Sequence, residues 1–145
     1  MGAETSSTHL IFFITAMIIA GSVAAVMYTN IGAIVNAAFE GSNVLSRQLR
    51  TDITIINDPA SISKDGNSYI FYVKNTGRST LGYEHITVLM DGVVITNIQK
   101  TIIDGDTWRP ADVLELKVNT TLSSGDHTIR VITENGVEDS LDFRI

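Results

Sequence analysis

The chain has 145 residues, a formal net charge of −6 from 16 acidic and 10 basic residues, and no cysteine. The negative balance argues against nucleic acid and anionic lipid headgroups as ligands. Without cysteine no disulfide can staple a small domain, so its stability must come from a packed apolar core.

The first predicted element is a helix long enough to cross a membrane. Thirty consecutive residues, Leu10 to Phe39, contain no Asp, Glu, Lys or Arg. A bilayer core of about 30 Å is spanned by about 20 apolar residues, and the part from Leu10 to Tyr28 supplies them. Residues 1–9 contain no Lys or Arg, which argues against a cleaved secretory signal. No second helix is predicted that could bury this one in a soluble core, so we predict a membrane span.

The helical pattern continues beyond Tyr28 and predicts that the helix reaches about Arg50. A helix from Thr5 to Arg50 would be about 70 Å long, so roughly half of it would leave the bilayer. Apolar and small residues there repeat at intervals of four and three, the heptad spacing of helices that pack lengthwise. We expect helix packing or oligomerisation through Ile31, Val35, Ala38, Ser42, Leu45 and Leu49. Small residues at such intervals are also common in any membrane helix.

The charges near the span say little about orientation. Arg47 and Arg50 are the nearest basic residues, and taken literally the positive-inside rule would place the following region inside the cell. Both lie well beyond the span, and larger domains cross the membrane largely regardless of such charges. The prediction that the second domain faces outward therefore does not rest on them.

The region from Thr51 to Ile145 has the size of one small domain and the pattern of β-strands. Gly-containing turn signals separate about seven short strands, and Asp91-Gly92 between two apolar runs predicts a hairpin with a type I′ turn. Apolar and polar residues alternate strictly over 114–119, and again over 140–145 at the carboxyl end. We predict domains at 1–50 and 51–145, the second an all-β immunoglobulin-like sandwich, with a small closed barrel as the alternative.

No group of residues predicts catalysis. The three histidines are scattered, and the chain contains neither an HExxH nor a GxSxG motif nor a phosphate-binding glycine loop. Asp104-Gly105-Asp106 lacks the flanking carboxylates of an EF-hand loop and has the composition of a turn. We therefore expect no enzyme activity, no cofactor, no metal and no small-molecule substrate.

Two surface features remain. Trp108 and Arg109, before Pro110, form a candidate contact surface, since such residues are frequent in interfaces; the alternative is that Trp108 caps one end of the core. Asn119-Thr120-Thr121 is the one N-glycosylation sequon, which predicts modification of Asn119 if the domain lies outside the cell.

Several segments carry a resemblance to a known family. They are the amino-terminal apolar helix, the run Thr-Asp-Ile-Thr-Ile-Ile-Asn-Asp-Pro at 51–59 and, about fifty residues later, Gly-Asp-Thr-Trp-Arg-Pro at 105–110. Together they resemble the archaeal flagellar protein G (FlaG) family, and the likeness covers essentially the whole chain. The family is a component of the archaellum motor.

The resemblance implies a non-enzymatic stator subunit of the archaeal motility machinery. Its helix would lie in the archaeal cytoplasmic membrane, with the immunoglobulin-like domain facing the pseudoperiplasm and the cell surface. The implied partners are the archaellar F protein (FlaF), the surface layer and further copies of the chain. In this role the helix and the domain would link the motor to the cell wall.

A filament subunit, an archaellin or archaeal pilin in an extracellular filament, is the main alternative. Such subunits share the plan of a long apolar helix and a β-sandwich, with the helices forming the filament core. Their precursors carry a short basic leader, whereas this chain opens Met1-Gly2-Ala3-Glu4 without Lys or Arg. Glu4 remains compatible with a pilin-like mature terminus. A surface-binding module with a generic anchor is a third class.

Overall fold

The computed structural model describes residues 2–145, with side chains described from residue 6 onward, so the side chain of Glu4 lies outside the described part. Over residues 2–145 the chain forms one helix followed by nine strands. Contacts divide it into two compact units, residues 1–43 and 44–145. The bounds are α1 Gly2–Arg50, β1 Ile53–Ile55, β2 Ser63–Asp65, β3 Ser68–Asn75, β4 Thr87–Met90, β5 Val93–Ile95, β6 Ile98–Ile102, β7 Val113–Asn119, β8 Asp126–Ile132 and β9 Glu138–Arg144.

Helix α1 exposes its apolar side chains within the first unit. The segment Ser6–Arg50 is long and apolar enough to cross a membrane, and none of its most apolar stretch is buried. The alternative of a core helix in a soluble fold therefore has no support in the described residues of this unit. Hydroxyl groups in this stretch bond to the helix's own carbonyls, as Thr15 Oγ1 does to Ile11 O at 2.8 Å. This pairing lets polar residues sit on a surface that faces lipid.

The predicted sandwich is confirmed as two antiparallel sheets. One has the strand order β1-β3-β7-β6, with β2 also pairing with β3, and the other has the order β5-β4-β8-β9. Neither sheet closes on itself over residues 51–145, so the closed-barrel alternative is wrong. The core between the sheets includes the fully buried Phe71, Leu114, Leu116 and Val131.

The hairpin between β4 and β5 has the predicted turn. Met90 pairs with Val93, and the two residues between them both have positive φ, 52° for Asp91 and 81° for Gly92. Two successive positive φ angles define the type I′ geometry, whose twist matches that of the strands. Asp tolerates this conformation better than most side chains because it can bond to its local backbone.

The strand count differs from the prediction of about seven. The short strands β1 and β2 could not be predicted as separate strands, because three residues are too few to show an alternation of buried and exposed side chains. The alternation at the carboxyl end is also weaker than expected. Phe143 is buried and Leu141 half-buried, but Ile145 is 37% exposed, since it lies beyond the end of the edge strand β9.

Candidate functional site

The end of α1 is bonded to two loops of the sandwich within the unit 44–145. We call this region the junction, and it consists of residues 47–51 and the loops 75–79 and 134–136. The loop 75–79 follows β3, and the loop 134–136 connects β8 to β9. The junction is the place where the helical and β-sheet parts of this unit meet.

Three of the last four carbonyls of the helix accept hydrogen bonds at the junction. Thr51 donates its N–H to Gln48 O at 3.1 Å and its Oγ1 hydroxyl to Arg47 O at 2.8 Å. Arg50 O accepts the N–H of Arg78 at 2.8 Å, a bond that comes from the loop after β3. Helix ends leave carbonyls unsatisfied, so the sandwich itself completes the end of this helix.

Gly77 allows the loop after β3 to approach the helix end. A Cβ atom at this position would lie 2.6 Å from Arg50 O and 2.6 Å from Asp52 N, closer than side-chain atoms pack. Both neighbours are backbone atoms, which cannot swing aside. The N–H groups of Thr76 and Gly77 both donate to Asp52 O at 3.0 Å. Glycine is therefore required here for close contact, with no positive φ involved.

Asn75, which is fully buried, connects this loop to the core. Its Nδ2 donates to Ser79 O at 2.9 Å and to Trp108 O at 3.1 Å, while its Oδ1 accepts the N–H of Gly77 at 3.1 Å. Because a buried amide is costly unless it is paired, Asn75 holds the loop in one conformation.

The loop 134–136 holds the helix from a second side. Gln48 donates from Nε2 to Asn135 O at 3.1 Å, and Asn135 donates from Nδ2 to Thr51 Oγ1 at 2.9 Å. An open groove of about 410 Å³ lies beside this contact. The groove is lined by Val44, Arg47, Gln48, Glu134, Asn135 and Gly136.

The turn between β4 and β5 carries a charged pair outside the junction. His127 is 9% exposed, with Nδ1 2.7 Å from Asp91 Oδ2 and Nε2 2.8 Å from Ser123 O. Both neighbours are acceptors, so the ring makes both hydrogen bonds only in its protonated, charged form. The hydrogen bond to Ser123 O and the one to Asp91 raise the pKa of His127. The Thr128 N–H and His127 lower the pKa of Asp91.

Comparison with known proteins gives matches that cover nearly the whole chain. The family model for archaeal-type flagellin matches residues 3–143. Flagella-related protein G of Methanocaldococcus jannaschii is 30% identical over 142 residues, 93% of this chain and 92% of the relative. The chain belongs to the archaeal-type flagellin family. It is likewise related to flagella-related protein G of Methanococcus voltae, at 31% identity over 93% of each chain.

A solved structure supports the fold of this family member. The archaellum periplasmic stator protein FlaG from Sulfolobus acidocaldarius superimposes with a TM-score of 0.51 at 23% identity. The match covers 64% of this chain and 99% of that one. The likeness bears on the β-sandwich architecture, and the resemblance to the FlaG family predicted from the sequence is confirmed by the relatives.

The helix-packing residues predicted from the sequence are exposed in this protein. Ile31 is 59% exposed and Val35 43% in the first unit, and Leu45 is 56% and Leu49 78% exposed in the second. Ala38 is exposed as well. Exposed side chains are available to pack against another helix, and the packing itself stays a prediction.

The two halves of the predicted contact surface lie in different environments. Trp108 is fully buried and donates its Nε1–H to Asp112 O at 3.2 Å, so its side chain is not available to a partner. Burial favours the alternative, in which Trp108 belongs to the end of the core. Arg109 is exposed, and a contact through it stays a prediction.

The sequon and the acidic turn are also placed by the fold. Asn119 is exposed at the end of β7, where its Oδ1 accepts a hydrogen bond from Asn67 Nδ2 at 3.2 Å. Glycosylation of Asn119 stays a prediction. Among residues 6–145, no three His, Asp or Glu side chains converge to hold a metal ion.

The junction was not predicted from the sequence. The segments Asn75-Thr76-Gly77 and Asn135-Gly136 have the composition of turns. Their contacts, however, reach Trp108, Arg50 and Gln48, which are far away along the chain. A single sequence carries no signal for such pairs. The one hint was the absence of a Gly-, Ser- or Pro-rich linker between α1 and β1.

Proposed function

We propose that this protein is a non-enzymatic stator subunit of the archaellum, the archaeal motility machinery. Helix α1 anchors it in the cytoplasmic membrane, and the sandwich faces the space outside that membrane. The observation that carries the proposal is the kinship with flagella-related protein G over 93% of the chain. The role itself is taken from the Sulfolobus protein of this fold, which is described as an archaellum periplasmic stator protein.

The junction supports a role in which force passes through the chain. A stator must stay fixed while a filament rotates, so the connection between anchor and domain has to resist bending. Residues 47–51 are bonded to two separate loops of the sandwich, and a flexible linker is absent from 51–53. A chain joined in this way transmits load better than one with a flexible connection.

The proposed partners are the archaellar F protein and the surface layer, as the family resemblance implies, together with further copies of the chain. The sandwich holds most of the chain's acidic residues and therefore suits an aqueous, cell-surface setting. A component with this role needs no substrate, and we propose none.

A deletion and its complementation test this function. Removing the gene from the native host should abolish swimming while archaellin is still synthesised. The full chain should restore swimming, and a secreted form of residues 44–145 without the anchor should not, because it cannot hold the motor against a fixed point. Restored swimming with the unanchored form would contradict the proposal.

Fractionation distinguishes the stator from the filament subunit. The matching family model is that of archaeal-type flagellin, and an exposed apolar helix could also line a filament core. After the cells are sheared, a stator stays with the membrane fraction. Recovery of the protein as a major component of the sheared filaments would establish the filament role instead.

A further inference from the structure

The N-glycosylation sequon is a motif to which the proposed function gives no role. Asn119 is the last residue of β7, and Thr120 and Thr121 begin the segment 120–125 that connects β7 to β8. Asn119 and Thr121 are exposed, and Thr120 is half-buried. The motif consists of an acceptor Asn and a hydroxyl residue two positions later. Both of these side chains are therefore on the surface, where a transferase can bind them.

The side-chain amide of Asn119 is bonded through its oxygen alone within the described part of the chain. Its Oδ1 accepts a hydrogen bond from Asn67 Nδ2 at 3.2 Å. Among residues 6–145, neither Nδ2 of Asn119 nor the hydroxyl of Thr121 forms a hydrogen bond. An N-linked sugar is attached to Nδ2, so the atom that has to react is the one that the fold leaves available.

Strand β7 directs the side chain of Asn119 away from the core. Leu114, Leu116 and Val118 are fully buried, and alternate side chains of a strand point to opposite faces of the sheet. A sugar attached to Asn119 would therefore lie outside the sandwich. Its attachment would displace no side chain of the core, so a glycan is compatible with the folded domain.

The sequon lies at the end of the sandwich opposite to the junction. In the pairing of β3 with β7, Asn119 is opposite Ser68, whereas Val113 is opposite Lys74, which directly precedes the loop 75–79. Six residue steps of about 3.3 Å separate the two ends of β7 by about 20 Å. A glycan on Asn119 would therefore leave the bonds between this loop and the end of α1 undisturbed.

We propose that Asn119 carries an N-linked oligosaccharide, which is transferred outside the cytoplasmic membrane from an oligosaccharide donor linked to a lipid phosphate. In this step Nδ2 of Asn119 forms a bond to C1 of the first sugar, and the bond from C1 to the phosphate oxygen breaks. Nδ2 loses one proton, and the lipid phosphate leaves with the electron pair. The proposal rests on the proposed function, because an outward-facing domain is the one that this modification reaches.

Mass spectrometry of the full-length protein from native membranes tests this modification. Trypsin cleaves after Lys117 and Arg130, and the peptide 118–130 between them contains the whole sequon. Most copies of this peptide should carry the added mass of several sugars, and fragment ions should place that mass on Asn119. An unmodified peptide in most copies of the protein would overturn the proposal.

Two matched variants separate N-linked from O-linked sugar. Thr121→Val and Thr120→Val make the same substitution in neighbouring residues, and Thr121→Val is the one that removes the sequon. The modification should disappear in Thr121→Val and be retained in Thr120→Val and in Thr121→Ser, which keeps the hydroxyl. A sugar that persists in Thr121→Val would be attached elsewhere in the peptide and would overturn the assignment to Asn119.

A second sequon provides a control for the side of the membrane. Gln99→Thr creates it at Asn97, which is exposed and whose carbonyl accepts the Asn119 N–H at 3.1 Å, so both acceptors lie at the same end of the sandwich. Modification of Asn97 without Asn119 would reject the proposal and leave the stator function in place. Modification of neither, in cells whose other surface proteins are glycosylated, would reject the proposal and also contradict the outward orientation of the stator.

Discussion

Trp108 contributes to the fold as a buried and hydrogen-bonded side chain, although tryptophan is also frequent in interfaces. Its side chain is fully buried, its carbonyl accepts from Leu81 and Asn75, and its indole N–H donates to Asp112 O. The sequence left two interpretations of this residue open. Burial separates them, since a fully enclosed side chain cannot meet a partner without unfolding.

Replacement of Trp108 by alanine should lower the free energy of unfolding of residues 44–145 by about 3–5 kcal/mol. The reason is the cavity left by a fully buried indole, together with the loss of its hydrogen bond. Urea denaturation followed by circular dichroism measures the change. Arg109→Ala, at the exposed neighbour, is the control and should stay within about 0.5 kcal/mol of the wild type. A stable Trp108→Ala variant that no longer binds a partner would mean that the tryptophan acts at an interface.

The His127–Asp91 pair makes stability depend on pH. The raised pKa of His127 contributes stability that is fully present below its ordinary value of 6.5 and is lost as the pH rises through the folded-state pKa. The lowered pKa of Asp91 contributes stability above its ordinary value of 3.8 that is lost as the pH falls through the folded-state pKa. The two contributions are therefore present together between about pH 4 and 6.5.

The unfolding midpoint of residues 44–145 in urea should consequently fall as the pH is raised from 6 to 9. His127→Gln should flatten this decline, because glutamine does not titrate. His85→Gln, which changes an exposed histidine, should leave the decline in place. If the wild type and His127→Gln lose stability in parallel over this range, the charged pair is not the cause.

At the scale of secondary-structure elements, the features that could be predicted from the sequence are those with a repeating pattern or a characteristic turn. The end of α1 near Arg50, the Asp91-Gly92 turn and the buried face of β7 all follow from local spacing and turn chemistry. The junction does not, because Gly77 and Asn135 act through contacts with residues far along the chain. The short strand β1 was missed for a related reason: its pairing with β3 defines it, and three residues show no period.

The contact between the helix end and the loop after β3 can be tested with Gly77→Ala. The added Cβ would meet Arg50 O and Asp52 N at 2.6 Å, so the loop must retreat and the bond from Arg78 to Arg50 should break. Overpacking of this kind costs about 1–3 kcal/mol. We expect a loss of that size in residues 44–145, together with faster trypsin cleavage after Arg50 in the full chain.

Gly82→Ala is the matched control. The nearest atoms to its added Cβ belong to the Glu134 side chain, whose carboxylate can rotate away. This variant should therefore lose less stability than Gly77→Ala and keep Arg50 protected from trypsin. Equal protection of Arg50 in both variants would show that the close approach of Gly77 does not hold the helix end.

At the scale of the whole molecule, composition separates two environments along one chain. The first unit presents an exposed apolar surface, and the second keeps its apolar residues in a core and carries fourteen of the sixteen acidic residues. Hydropathy and turn spacing predict domains at 1–50 and 51–145, and these bounds stay a prediction. The partners of each part were not predictable from composition, because neither surface alone identifies what covers it.

The order of elements at the junction has a mechanical consequence. Strand β1 is the first strand after α1, it holds β3 through three residue pairs, and the carboxylate of Asp139 in β9 accepts its Ile55 N–H at 2.8 Å. Tension applied through α1 would therefore reach β1 before any other strand. The force needed to unfold the sandwich from the end that follows α1 would be determined by these few bonds together with those of the junction. The large apolar core behind them would contribute only after they rupture.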